Sequence, residues 1–232
     1  MTSTLYRDDP DAAHPEGRTL RFRLTYAGKL LGARPGKTRA DHKHEIRKHF
    51  HLQLKRLWAN TPMLNQRECT IGDDGSVAAF SSTLVMGSNT RPYIDVMAEK
   101  HTLAPFRFVP FVTEELSLAC SLEILLLRPN EPGQILQGGD IDKRLKTIFD
   151  ALRKPKDMGE LGGYDPDPEI ESPFFCLLQD DSLISRVVVE TDALLEPLCG
   201  QTDIGNNDAR LFVDVRITPI KTGFSNLDFL GD

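Results

Sequence analysis

Apolar and polar positions alternate over residues 18–26, where Leu20, Phe22, Leu24 and Tyr26 are set against basic or polar neighbours. A period of two predicts a half-buried strand. After a Gly- and Pro-containing stretch the period changes, and Ile46, Phe50, Leu54, Leu57 and Trp58 recur three and four residues apart. This predicts a helix over 41–58 whose other faces are basic. Residues 59–102 keep no sustained period, being broken by Gly, Asn, Ser and Asp around 73–75 and 87–89; strands and turns are expected there, with a strand candidate at 77–85. Strands are predicted at 106–112 and at 117–127, the second dense enough in apolar residues to be central. The Pro and Gly content of 128–139 reads as a loop. Residues 141–152 form an amphipathic pattern, with Ile141, Leu145, Ile148, Phe149 and Leu152 on one side and Asp142, Lys146 and Asp150 on another. Asp140 stands where it can cap that helix. Residues 153–173, rich in Gly, Pro and acids, read as surface loop, and strands at 183–189 and 209–217 follow.

Strand-period and helix-period segments in this order imply a mixed α/β (α+β) fold, a mixed β-sheet packed against helices with extra N-terminal and loop elements. The organisation expected is a flexible tail at 1–17, one domain at 18–217 with a loop insertion at 153–179, and a tail at 218–232. The last of these carries Phe224, Leu227 and Phe229, suited to docking on its own domain or on a partner.

Composition narrows the class. With 232 residues, 40% of them hydrophobic and 27% charged, the chain is long enough for one sizeable core and is not a collagen, a disulfide mini-protein or a disordered tail. No apolar run approaches the length of a membrane span and the N-terminal residues carry no signal-peptide core, so a cytoplasmic protein without a membrane partner is expected. Cys69, Cys120, Cys176 and Cys199 show no CxxC spacing and are expected to be inert thiols.

Charge is unevenly placed. The whole chain is at −6, yet residues 34–56 carry eight Lys or Arg (Arg34, Lys37, Arg39, Lys43, Arg47, Lys48, Lys55, Arg56) against Asp41 and Glu45. Such a helix can lie along phosphates while the acidic remainder limits indiscriminate binding. His42, His44, His49 and His51 would add charge there as pH falls toward 6. A plain solvated helix face fits the same residues. Trp58 and Tyr26 suit core edges better than base-stacking platforms.

The candidate chemistry lies in four carboxylates. Asp140 and Asp142 stand where a Gly-rich loop enters a helix, and Asp180 and Asp181 just before a β-branched strand. If helix start and strand start are neighbours, the carboxylates converge, and their repulsion calls for a hard divalent ion such as Mg2+ or Mn2+. Such an ion could activate water against a phosphodiester, with Lys146 on the same helical side able to touch the phosphate. The alternative is that Asp142, Lys146 and Asp150 form a solvated face of ordinary i,i+4 pairs.

Gly139-Asp140-Ile141-Asp142, then Leu145, Lys146, Phe149, Asp150, Ala151 and Leu152, and later Asp180-Asp181-Ser182-Leu183, resemble the RusA-type crossover junction endodeoxyribonucleases. The resemblance runs over 117–217, with 18–58 similar in outline. It implies a RusA-like domain, a homodimer and magnesium-dependent cutting of four-way DNA junctions. Metal-binding carboxylates would fall on Asp140, Asp142 and Asp181, with Asp180 supporting and Lys146 as the helix lysine; Lys37, Arg39, Lys43, Arg47, Lys48 and Lys55 are the expected DNA contacts. Lys143 stands where the family usually has asparagine, the 153–179 link is longer, and 189–191 lack a common lysine. The expected function is therefore a structure-selective endodeoxyribonuclease acting on branched or junction DNA. The alternatives are a catalytically weak or inactive nucleic-acid-binding protein of the same fold, and a nuclease acting on RNA.

Overall fold

The computed structural model describes residues 20–65, 67–71, 77–81, 90–129 and 140–229. The expected tail at 1–17, most of the 128–139 loop and the end of the 77–85 strand candidate lie outside them. In chain order the elements are β1 (Arg21–Lys29), α1 (Lys37–Asn60), a one-turn α2 (Pro62–Asn65), β2 (Arg67–Ile71), β3 (Val77–Ser81), β4 (Arg91–Pro92), α3 (Tyr93–Lys100), β5 (Thr102–Leu103), β6 (Phe106–Val112), β7 (Leu118–Arg128), α4 (Asp140–Leu152), β8 (Phe174–Leu178), β9 (Ile184–Ala193) and β10 (Asp208–Pro219). Turns of 3₁₀ helix lie at Met158–Leu161, Asp181–Leu183 and Phe224–Phe229. The fold is α+β, with sheets of mixed strand orientation.

The main sheet has the order β1-β10-β7-β9. β10 runs antiparallel to both β1 and β7, whereas β9 runs parallel to β7, with Cys120 beside Ile184 and Arg128 beside Ala193. One end of this sheet therefore gathers the end of β1, the start of β10 and the ends of β7 and β9. The opposite end gathers the starts of β1, β7 and β9. This polarity decides where each candidate side chain lies.

α1 runs for 24 residues and is buried on two sides. Its apolar stripe, Ile46, Phe50, Leu54, Leu57 and Trp58, packs into the main core, where Phe50 meets Tyr26 and Trp58 meets Phe111 and Phe175. A second face, His44, Arg47 and His51, is also buried, against β8 and the residues that lead to it. Pro62 just past the C-cap Thr61 ends the helix. β6 and β8 pair in parallel and, with β5, form a small sheet. Its outer side holds a satellite core of Phe106, Phe108, Leu161, Phe174 and Cys176.

Residues 153–173 are more than a surface loop. Arg153, Leu161 and Glu171 are buried, Tyr164 Oη donates to Glu45 Oε1 at 2.7 Å, and Lys55 Nζ donates to the Ile170 carbonyl at 2.6 Å. The segment is a strap laid along α1, and it leads into β8, an all-buried strand inside the expected insertion. α3 was likewise absent from the sequence pattern: eight residues are too few to establish a helical period beside a Gly- and Ser-broken stretch. The C-terminal segment docks on its own domain, with Phe229 buried against Phe111 and Asn226 Nδ2 donating to the Leu116 carbonyl at 2.9 Å.

Among the described residues no helix is long and apolar enough to cross a membrane. The four cysteines are free, and burial pushes the Cys69 thiol up to about 11 and those of Cys120 and Cys176 up to about 12. Burial keeps these three thiols protonated, whereas Cys199 is exposed.

Candidate functional site

α4 begins at Asp140, and Asp142, Lys143 and Lys146 are all exposed on its first two turns. The start of the helix is bound to the segment after β1. Ala33 N donates to the Lys143 carbonyl at 2.8 Å, Arg144 Nη1 to Leu30 O at 2.6 Å, and Thr147 Oγ1 to Leu31 O at 2.9 Å. Leu30 N in turn donates to Asn207 O, just before β10. The first turns of α4 thus lie at the end of the sheet where β1 finishes and β10 starts.

Asp180 and Asp181 lie at the opposite end. β8 finishes beside the far end of α4, where Lys154 N donates to Leu178 O at 2.9 Å, and the 3₁₀ turn after it feeds Ile184 in beside Cys120, near the start of β7. Asp142 is eleven positions from Arg153 along the helix, a separation of about 16 Å at 1.5 Å per residue. Asp181 therefore does not join Asp142 around one ion within a protomer. The expected convergence fails because α4 runs from one end of the sheet to the other. Among the described residues no three His, Cys, Asp or Glu side chains are grouped to hold a metal.

The acidic pair has a local role instead. Asp180 caps its 3₁₀ turn, accepting from Ser182 N at 3.0 Å, and Lys156 Nζ lies 3.4 Å from Asp180 Oδ2 and 3.7 Å from Asp181 Oδ1. The Ser182 amide first, then Lys156, hold the Asp180 carboxyl down at about 2. An ammonium group stands where a cation was expected. Asp150 is not on a solvated face either: Oδ2 is 3.1 Å from Lys43 Nζ and Oδ1 is 2.9 Å from Arg153 Nη2, in a buried cluster.

The basic residues of α1 divide in the same way. Arg47 is buried, donating to the carbonyls of Asp150 at 2.7 Å and Arg153 at 3.3 Å. Lys48 pairs with Glu171 at 3.1 Å and lies over the Tyr164 ring, Lys43 pairs with Asp150, and Lys55 holds Ile170. The expected DNA contacts Lys43, Arg47, Lys48 and Lys55 are thus engaged by the chain itself, largely by the acid-rich strap. Their partners lie about a hundred residues away in sequence, where no local pattern points to them. The histidines are held below their ordinary range by burial. Burial, with Arg47 and Lys48 adding, takes His44 down to about 3, and burial first of all lowers His42, His49 and His51 as well.

Lys37 and Arg39 differ from these. They stand at the start of α1, and Arg39 joins Arg34, Lys143, Arg144 and Asn207 around a recess of about 210 Å³ between the 31–39 segment and the first turn of α4. Lys37 and Arg34 line a second, wider recess of about 490 Å³ on the other side of the helix start, facing Gly162 and Gly163. Neither Lys143 nor Arg144 was among the expected DNA contacts. The sequence signal, two adjacent cations just after Asp142, was present but masked by the acidic motif.

Compared with known proteins, the chain matches no family model, no curated protein and no solved structure.

Proposed function

We propose that the protein acts on branched or junction DNA as a structure-selective, magnesium-dependent endodeoxyribonuclease of the RusA type, with its chemistry at the start of α4. The observation that carries this reading is the exposure of Asp142 and Lys146 on the first two turns of α4, at the same helix end as the cationic recess. Asp142 is exposed there, and Asp140 opens the same helix. Mg2+ is commonly held by one or two carboxylates, with water and substrate phosphate oxygens completing its octahedron, so this reduced set suits it without Asp181. When bound there, the ion supplies charge stabilisation and an activated water. Lys146 would orient a phosphate oxygen, and the neighbouring cations would hold the strand against the helix.

The test is cleavage of a labelled four-way junction beside duplex, flap and single-stranded DNA and matched RNA, with Mg2+ or Mn2+ against EDTA. Asp142→Asn should lower metal-dependent cutting by more than the roughly 10- to 100-fold that outer-shell partners cost, leaving junction binding in place. Asp181→Asn should change cutting little. Uncut but tightly bound junctions would transfer the function to a binding protein of the same fold, a reading favoured by the separation of Asp142 from Asp181 and by Lys156 on the latter.

Symmetric cutting asks for two sites related by a two-fold, and the proposed contact is the outer edge of β9. This strand ends the main sheet, and Val187 is 40% exposed. Antiparallel pairing of two copies about Val188 sets Arg186 opposite Glu190 twice and Val187 opposite Val189, a self-complementary register. Glu190→Arg is expected to yield monomers in sedimentation, and Arg186→Glu with Glu190→Arg to restore the dimer. A monomeric wild type at tens of micromolar, or a dimer indifferent to both changes, excludes this edge.

A further inference from the structure

We infer that His42 is a positioning residue for the candidate site, its neutral ring fixing the segment to which the first two turns of α4 are bonded. The effect on cutting rests on the nuclease reading proposed above; the effect on the helix does not. Between β1 and α1 the chain at 30–33 makes hydrogen bonds in two directions. Toward α4, Ala33 N reaches the Lys143 carbonyl, while Leu30 O and Leu31 O receive Arg144 Nη1 and Thr147 Oγ1. Asp142 precedes Lys143 and Lys146 precedes Thr147, so both candidate groups are immediate neighbours of residues bonded to this segment. In the other direction, Leu30 N donates to Asn207 O and Leu31 N donates to His42 Nε2 at 3.1 Å. The far half of α4 is held differently, since Lys43 and Arg47 reach Asp150 and Arg153 straight from α1. α1 thus steadies the later turns of α4 directly and the first turns by way of His42 and Leu31.

A backbone amide can only donate, so His42 Nε2 carries no proton in this bond and the ring's one proton sits on Nδ1. Protonating the ring turns that acceptor into a second donor facing the Leu31 N–H, and the bond is lost. The surroundings oppose the proton. Burial first, then Arg39, lower the half-buried His42 from its ordinary value of 6.5, with Glu45 acting the other way. Beyond Leu31, the side chains of Arg34, Lys143 and Arg144 stand around the recess that Leu31 and Arg39 also line, and all carry the same sign as a protonated ring. The neutral ring is therefore kept at neutral pH and given up only in acid.

Loss of this bond leaves α4 helical, because its later turns keep their anchors, but it frees the turn that carries Asp142 and Lys146 to shift against the rest of the domain. A group displaced by even an ångström costs rate before it costs binding. His42 thereby makes cutting sensitive to acid from a position on another helix, touching neither the metal-binding carboxylates nor the substrate.

Two variants of the full chain separate the roles. His42→Gln offers a side-chain carbonyl that accepts but does not titrate, and His42→Leu offers bulk without an acceptor. Amide hydrogen exchange at neutral pH should quicken by about tenfold or more at Ala33 and over 144–147 in His42→Leu, with 148–152 and β10 unchanged. His42→Gln should exchange as the wild type does. On the four-way junction with Mg2+, kcat of His42→Leu should fall by about tenfold or more at unchanged KM. His42→Gln should keep most of the rate and lose the part of the wild-type decline that sets in below pH 6.5. Unchanged exchange at Ala33 and 144–147 in His42→Leu overturns the inference, and so does equal quickening over the whole chain, which would make His42 a support of the fold at large. An acid decline of wild-type shape in His42→Gln overturns it as well. If exchange responds as expected while the wild type cuts none of the substrates, the positioning role stands and the nuclease reading fails.

Discussion

Asp150→Ala is expected to destabilise the fold by about 3–5 kcal/mol, the range typical of breaking a buried ion pair from one side. The carboxylate is almost fully buried and receives Lys43 on one oxygen and Arg153 on the other. Arg153 also holds Glu160 at 2.8 Å, and Arg47 donates to the main-chain carbonyls of Asp150 and Arg153. Two guanidinium groups and an ammonium are thus held within one buried cluster by two carboxylates. Burial draws Arg47 down to about 10, with Glu160 and Asp150 working in the opposite direction. Removing Asp150 leaves Glu160 as the remaining acid facing three cations, and the strap that begins at Arg153 loses one of its anchors on α1. Asp150→Asn keeps the shape but not the charge and should fall between the wild type and the alanine variant. Urea unfolding checks both; a loss below about 1 kcal/mol would mean that water replaces the carboxylate, as at exposed ion pairs.

Acid is expected to weaken the protein well above the usual carboxylate range. Burial lowers His44 to about 3 and His101 to about 4, and lowers His42, His49 and His51 from the ordinary value near 6.5. The folded state therefore holds these rings neutral where the unfolded chain protonates them. With more protons bound in the unfolded state, stability rises with pH across that window. It is complete above about pH 7 and is lost progressively as pH falls from 6.5 toward 4. His51 shows the structural side of this titration: its Nδ1 accepts from Phe175 N at 2.8 Å and its Nε2 lies 2.9 Å from the Ile170 carbonyl, so a proton on Nδ1 removes the acceptor that positions β8. Below about pH 4 the carboxyls of Asp180 and Glu160, held low by their hydrogen bonds, add a second loss in the same direction. Melting temperature against pH, repeated with His44→Gln, tests this. The variant should show a shallower slope between pH 4 and 6.5 whatever its absolute stability, and an unchanged slope would place the titration elsewhere.

The Asp150 cluster and the burial of His44 and His51 come from the packing of α1 against the strap and β8, and that packing also redirects the functional reading. The basic helix and the acid-rich excursion, taken separately, suggest a DNA-binding face and a surface loop. Together they engage Lys48 with Glu171 and Lys55 with the Ile170 carbonyl, while Lys37 and Arg56 stay exposed. Asp180 and Asp181 follow the same logic at the other end of the sheet, where Lys156 and a 3₁₀ cap account for them.

Periodicity alone determined the elements that carry long runs: the stripe from Ile46 to Trp58, the apolar side of α4, and the strands β1, β6, β7 and β10. Each of these repeats its pattern over enough residues for burial on one face to be read directly. It determined the mixed fold and the exposed carboxylate–lysine turn of α4 as well. The short elements α3 and β8 were decided by tertiary contact, since five or eight residues do not complete a recognisable period. So was the division of the acidic residues between opposite ends of the sheet, because the direction of α4 relative to β7 is a property of topology rather than of spacing. The fate of each charge was decided there too: whether a lysine meets phosphate or a carboxylate a hundred residues distant depends on which surfaces the core brings together, and Coulomb interactions act through space without regard to position in the chain.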